Sequence, residues 1–374
     1  MKIIFICGSL EPGKDGVGDY TRRLCAELIL QGIHVGILSY NDKDVNGATQ
    51  VTQYADGQAI YCYRISTFIK PKERCVLAKQ WIDTHNPEWL SLQFVPYAFN
   101  NKGLPFGFAS QLKTIGQNRK WHIMFHELWI GMNKESTLKE KCIGYIQRYI
   151  IKELTLKLKP NLVNTQTELY KKQLEKLTIT SSLLPLFSNI PVIQKPIEKT
   201  HLDSIPFDIP NKYFVLFGSI HYGSPINHFV KDFVDYLKND SFSLITIGRN
   251  GNELREWISI WESYKLEVKC LGEQSVEVIS HVLKNATFGI STTPMALVEK
   301  SGSVLAMHAH GIPVICMSRP WTPLGIKNDW AYEGITEYKL GEIAACMECI
   351  ENINPEKNNV HTIALSLIKK LKNN

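Results

Sequence analysis

Three stretches of this sequence have residue types and spacings that could handle phosphates and sugars. The first is GSLEPGKD, residues 8–15, which matches a phosphate-cradling P-loop as far as Lys14. Such a loop needs Ser or Thr after the lysine to hold magnesium, and its helix must begin there so that amides point at the phosphate. Here that place is taken by the anion Asp15, and Pro12 with the glycines at 13, 16 and 18 is expected to delay the helix until about Asp19. Triphosphate hydrolysis is set aside on those grounds. The overlapping Gly16-Val17-Gly18-Asp19-Tyr20 has instead the backbone freedom that lets amides approach a diphosphate at a helix start. It lacks the G-x-G-x-x-G spacing of a dinucleotide fingerprint.

The second stretch, STTPMALVEKSGSVLAMHAHGIPVIC at 291–316, reads as strand, polar loop, short helix and strand. Glu299 and Lys300 lie in the loop, and Ser301, Gly302 and Ser303 open the helix. Amides at a helix N-terminus beside a lysine suit an anion, while a carboxylate in the same loop suits sugar hydroxyls, which donate well to ionised acceptors. The third is the cluster Gln93, Phe94, Tyr97 and Trp129, whose aromatics can stack on a sugar ring or a lipid. Nine cysteines are scattered, several within apolar runs, and the Cys346–Cys349 pair lacks the second ligand pair of a zinc site. No metal site is expected.

The elements that position these groups alternate strand and helix. KIIFIC, HVGILSY, EWLSLQF, WHIMFHE and NLVNTQ read as buried strands, with helices at 19–31, 105–118, 135–158 and 168–177 between them. Five prolines between 185 and 210 break the pattern, which restarts with KYFVLFGSI. The chain has 374 residues, against about 100 to 200 per ordinary domain. We therefore expect a parallel α/β domain over 1–190, a linker over 191–210 and a second such domain over 211–357, with an amphipathic helix in 358–374 that can pack on either. Ligands of such sheets sit at the carboxyl ends of the strands. That rule adds Gly218, Ser219, Arg249, Leu271 and Gly272 to the candidates, with His221 as a further cation.

Composition narrows the class. With 44% apolar residues, 21% charged residues and a dispersed net charge of +6, the chain reads as a cytoplasmic globular protein with no nucleic-acid signature, and peripheral contact with a membrane stays open. No window approaches the roughly 18 apolar residues of a membrane span.

With these residues in view, the chain resembles the GT-B-fold glycosyltransferases of the retaining family-4 type. The resemblance is carried by Glu299-Lys300-Ser301-Gly302 and Ala309-His310-Gly311-Ile312-Pro313-Val314-Ile315, and in the first domain by Gly16 to Tyr20 and Phe125-His126-Glu127. It implies two Rossmann-like domains facing a cleft. It also implies a metal-independent transfer of sugar from a UDP-, GDP- or ADP-sugar to a glycan, lipid-linked or small-molecule acceptor. By position, Glu299, His126 and Lys300 take catalytic places. Gly16, Gly18, Gly218, Ser219, Arg249, Leu271, Gly272, Ser301, Gly302 and Ser303 take the donor, and Asp19, Tyr20, Gln93, Phe94, Tyr97 and Trp129 the acceptor.

Two departures qualify the match. The family's second glutamate, about eight residues after the first, falls on Met307, and the arginine and lysine expected after the first strand of the second domain are replaced by Gly218-Ser219-Ile220-His221-Tyr222-Gly223. Lys300 and Arg249, then His221, are the substitute cations. An inverting transferase or sugar-nucleotide epimerase with His126 or Asp19 as base, and a degenerate sugar-nucleotide binder, are the alternatives.

Overall fold

A computed structural model describes the chain except residues 199, 201–204, 238–240, 328, 349–352 and 354–358. Two compact units emerge, one made of Met1–Asn189 with Val360–Asn374 and the other of Ile190–Asn359.

The first unit is built on Lys2–Cys7 (β1), an uninterrupted apolar run of the kind that survives only when both sheet faces are covered. Seven more strands join it: His34–Asp42 (β2), Ala48–Ala55 (β3), Gln58–Ser66 (β4), Trp89–Phe94 (β5), Lys120–Phe125 (β6), Leu162–Thr165 (β7) and Ser182–Leu183 (β8). Their order is β3-β4-β2-β1-β5-β6-β7-β8, and every pairing is parallel except β3 with β4. That antiparallel edge departs from the expected unbroken alternation. It turns at Asp56 and Gly57, both with positive φ (45° and 77°), as a two-residue hairpin requires. The helix Pro71–His85 that follows was not expected either.

The second unit carries six parallel strands: Tyr213–Phe217 (β9), Ser243–Ile247 (β10), Val268–Gly272 (β11), Phe288–Ser291 (β12), Val314–Cys316 (β13) and Ile335–Glu337 (β14). Their order is β11-β10-β9-β12-β13-β14. β9 alternates between two cores, with Phe214 and Leu216 buried on one face and Tyr213 and Val215 on the other. The sheet order places the carboxyl ends of β9, β12 and β13 side by side, which is where ligands of such sheets gather.

Two stretches outside the sheets are tied down by apolar contacts. Within the proline-rich segment read as a linker, Ile197, Ile205, Phe207 and Ile209 pack against the second unit's core. The last helix, Val360–Lys372, buries Ile363, Leu367 and Leu371 with Leu24 and Leu28 of the first unit. Cys346 is buried, while its C-x-x-C partner Cys349 lies outside the described residues.

Candidate functional site

The glycine-rich loop of the first unit is already neutralised. The helix Gly16–Leu30 starts three residues before the expected Asp19, because the Asp15 carboxylate caps it and accepts the Gly18 amide at 2.7 Å. An anion therefore occupies this helix start, and the reading in which the Gly16 to Gly18 amides cradle a diphosphate is corrected accordingly. Gly18 is needed for packing, since a Cβ there would meet the Ser9 carbonyl at 2.6 Å, whereas Gly16 faces open space. Lys14 pairs with Asp44, and Asp19 accepts from Gly13 N–H and pairs with Arg22. Both serve the loop itself.

His126 follows β6 and is buried. Its Nε2–H donates to Gln93 Oε1 at 2.8 Å; Gln93 Nε2–H donates to Ser91 Oγ, which donates to His122 Nδ1, and His122 Nε2–H donates to Asn164 Oδ1. Burial holds both rings neutral, with the His126 pKa lowered to about 3 and that of His122 to about 4. The Tyr20 ring stacks on Phe187 and meets His126 edge-on at 5.1 Å, and its buried hydroxyl has no hydrogen-bond partner.

The aromatic cluster read as an acceptor platform divides. Phe94 is fully buried between Phe99 and Phe125, so it is a core residue and cannot stack on a ligand. Gln93 is consumed by the buried chain just described. Trp129 is buried under the Arg148 guanidinium, and Tyr97 alone of the four is exposed.

The second unit gathers its groups around the end of β9. Gly218 turns there with φ 85°, and a Cβ on it would sit 3.6 Å from Ser303. Ser219 Oγ donates to the Arg249 carbonyl. Leu271 is a core side chain, and the Gly272 carbonyl accepts the Gly248 amide. Ser301 caps the helix Gly302–Ala309, with its hydroxyl linked to those of Thr293 (3.2 Å) and Ser303 (3.1 Å). Nothing stands over Gly302. Glu299 and Lys300 lie in a 3-10 turn, Met295–Lys300, where the expected polar loop would be, and Glu299 accepts from the Tyr332 hydroxyl at 3.3 Å.

Of the cations assigned by sequence, Arg249 is corrected. Its guanidinium forms a two-pronged pair with Glu273 at 2.6 and 3.0 Å, on the exposed surface. Lys300 stands two residues before the helix Gly302–Ala309, and sequence reading missed Arg319, which follows β13. The Arg319 side chain runs along Gly223, with its Cβ and Cδ 3.5 and 3.7 Å from where a Cβ on that glycine would be. His221, in the loop after β9, donates its backbone N–H to Thr292 Oγ1 at 2.9 Å, and its Nδ1 shares a hydrogen bond of 2.8 Å with the same hydroxyl. Partial burial, then the charges of Lys300 and Arg319, hold the His221 pKa below its ordinary value. The segments that carry His221, Lys300 and Arg319 thus follow the adjacent ends of β9, β12 and β13. The signal for Arg319 was the strand-end rule already applied elsewhere. No three described histidines, cysteines or carboxylates are grouped as a metal site.

No family model and no curated protein matches the chain. Solved structures do. Sucrose-phosphate synthase from Thermosynechococcus elongatus is similar over 100% of this chain and 98% of its own, with TM-score 0.64 at 15% identity. The Anabaena HepE protein in complex with UDP-glucose is similar over 100% of both chains, with TM-score 0.60 at 14% identity. The UDP-GlcNAc 2-epimerase of Methanocaldococcus jannaschii is similar over 99% of this chain and 100% of its own, with TM-score 0.56 at 11% identity. The fold is GT-B.

Proposed function

We propose that the protein is a glycosyltransferase that moves a sugar from a nucleoside-diphosphate sugar to an acceptor, with the diphosphate held in the second unit. The observation that carries this reading is that the loop after β9 meets the helix Gly302–Ala309 at Ser303, 3.6 Å from where a Cβ on Gly218 would be, and meets Arg319 along Gly223, with Lys300 two residues before that helix. As the sugar leaves, negative charge grows on the diphosphate. Fixed cations and amides aimed at that charge lower the barrier, and losing one such donor costs about 10² to 10³ in rate. Lys300 and Arg319 take the phosphates, the His221 ring and the Gly302 and Ser303 amides complete the cradle, and Glu299 receives sugar hydroxyls. Lys300 and Arg319 thereby stand in for the arginine and lysine that the resemblance leads one to expect after β9.

The HepE structure with UDP-glucose favours a UDP-sugar as donor. Retained anomeric configuration and independence from metal are proposed on the resemblance carried by Glu299 to Ile315. An inverting or epimerising mechanism with His126 as base fits poorly, because a ring held neutral down to about pH 3 takes up a proton weakly. Asp19 is no better placed, being paired with Arg22.

The test is incubation with UDP-, GDP- and ADP-sugars, following release of free nucleoside diphosphate and the anomeric protons of the product by NMR. One donor should yield diphosphate and an unchanged anomer. A product epimerised on the nucleotide, or no turnover of any donor, would overturn the assignment.

A further inference from the structure

We infer that the outer face of the helix Leu138–Leu158 docks on an anionic phospholipid surface. This helix is apolar on two opposite sides. One side, formed by Gly144, Ile150, Ile151, Leu154 and Leu158, is buried in the first unit. Its position is pinned by close approach, since a Cβ on Gly144 would lie 2.1 Å from the Ile130 carbonyl. Leu138 (81% exposed), Tyr145 (73%), Tyr149 (61%) and Leu156 (74%) therefore cannot be turned inward.

Together with exposed Cys142 and Lys152 they form one stripe. At 3.6 residues per turn, those six positions fall within about 80° of the helix circumference and run along about 27 Å. Folding gives no reason for large apolar side chains on this face, and contiguous exposed apolar surface marks an interaction site.

Charge selects the occupant. Lys139 and Lys141 flank the stripe, Lys152 lies within it and Lys159 follows it, while Arg148 is drawn over Trp129 and the acids of the helix are Glu140 and Glu153. Both acids are spent locally, Glu140 in the capping box with Thr137 and Glu153 in an ion pair with Lys157. Pairing this face with a second copy would set two basic surfaces against each other, whereas an anionic bilayer complements it. Tyrosine rings suit the headgroup level, and lysines beside them can reach the phosphates while their stems cover apolar surface. Docking lies flat on the membrane, since no described helix is long and apolar enough to cross it.

The experiment uses the full chain with vesicles of phosphatidylcholine alone or mixed with phosphatidylglycerol. Co-sedimentation is measured, together with the rate at which a water-soluble maleimide modifies Cys142, read by mass spectrometry. Cys270, exposed in the second unit, is the internal reference. The protein should sediment with the anionic vesicles and not the zwitterionic ones, and Cys142 should react about tenfold more slowly there with Cys270 unchanged. The variant Y145S/Y149S/L156S alters only exposed side chains and should keep its melting temperature while losing vesicle binding. Absent or charge-indifferent binding, or undiminished binding by the variant, would overturn the inference. So would protection of Cys142 without vesicles, accompanied by doubling of the mass in light scattering, because that would assign the face to a second copy.

Discussion

Arg319 and Arg249 both follow strand ends of the second sheet, yet their surroundings give them different work. Arg249 is spent on Glu273, while Arg319 forms no ion pair among the described residues and its charge, like that of Lys300, helps lower the His221 pKa. Replacing Arg319 by Ala should weaken nucleoside-diphosphate binding roughly tenfold to a hundredfold, the range for hydrogen bonds to a charged group. Arg249→Ala should leave that affinity unchanged, as titration calorimetry would show. His221 adds a pH signature. With its pKa below 6.5 the ring is neutral at pH 7, and a bound diphosphate favours its protonated form, so affinity should rise as pH falls from 7 towards the lowered pKa. His221→Gln should flatten that slope. Glu299, Lys300 and the Ser301 cap were legible because a charged loop before a helix is a local pattern. Phe94 was misread because an aromatic at a strand end looks the same in sequence whether it faces solvent or lies between Phe99 and Phe125.

At the scale of elements, the strands of both sheets were legible from continuous apolar runs, since burial on both faces leaves no polar alternation to confuse. The edge was not. β3 is half exposed and alternates weakly, and its Asp56-Gly57 turn signal was passed over. The helix Pro71–His85 was hidden for a related reason, as its buried face includes Arg74, which donates to the Tyr40 carbonyl and lies over the Tyr40 ring. The glycine-rich loop was read as ligand-facing when its closest glycine serves packing. That distinction predicts opposite outcomes for two similar changes. Gly18→Ala forces a Cβ against the Ser9 carbonyl and should destabilise the first unit by about 1 to 3 kcal/mol, as overpacking does. Gly16→Ala meets nothing and should be nearly neutral in the same denaturant titration.

The whole chain closes on itself, because its last helix completes the core of its first unit. Leu367 is fully buried there, so Leu367→Ala should cost about 2 to 5 kcal/mol in the first unit's unfolding transition. The buried pair His122 and His126 sets an acid limit on the same unit. Their folded pKa values lie below the unfolded value of 6.5, so the unfolded chain takes up protons first as pH falls. Stability should decline from pH 6.5 towards 4, each histidine contributing up to about 1.4 kcal/mol per pH unit. The central claim, a diphosphate held by Lys300 and Arg319, is tested most directly by calorimetric titration of UDP, GDP and ADP into the intact protein and into the K300A/R319A variant. One of the three should bind the intact protein, and the variant should lose that binding while keeping its melting temperature. If none binds, or if the variant binds as tightly as the intact protein, the claim is wrong.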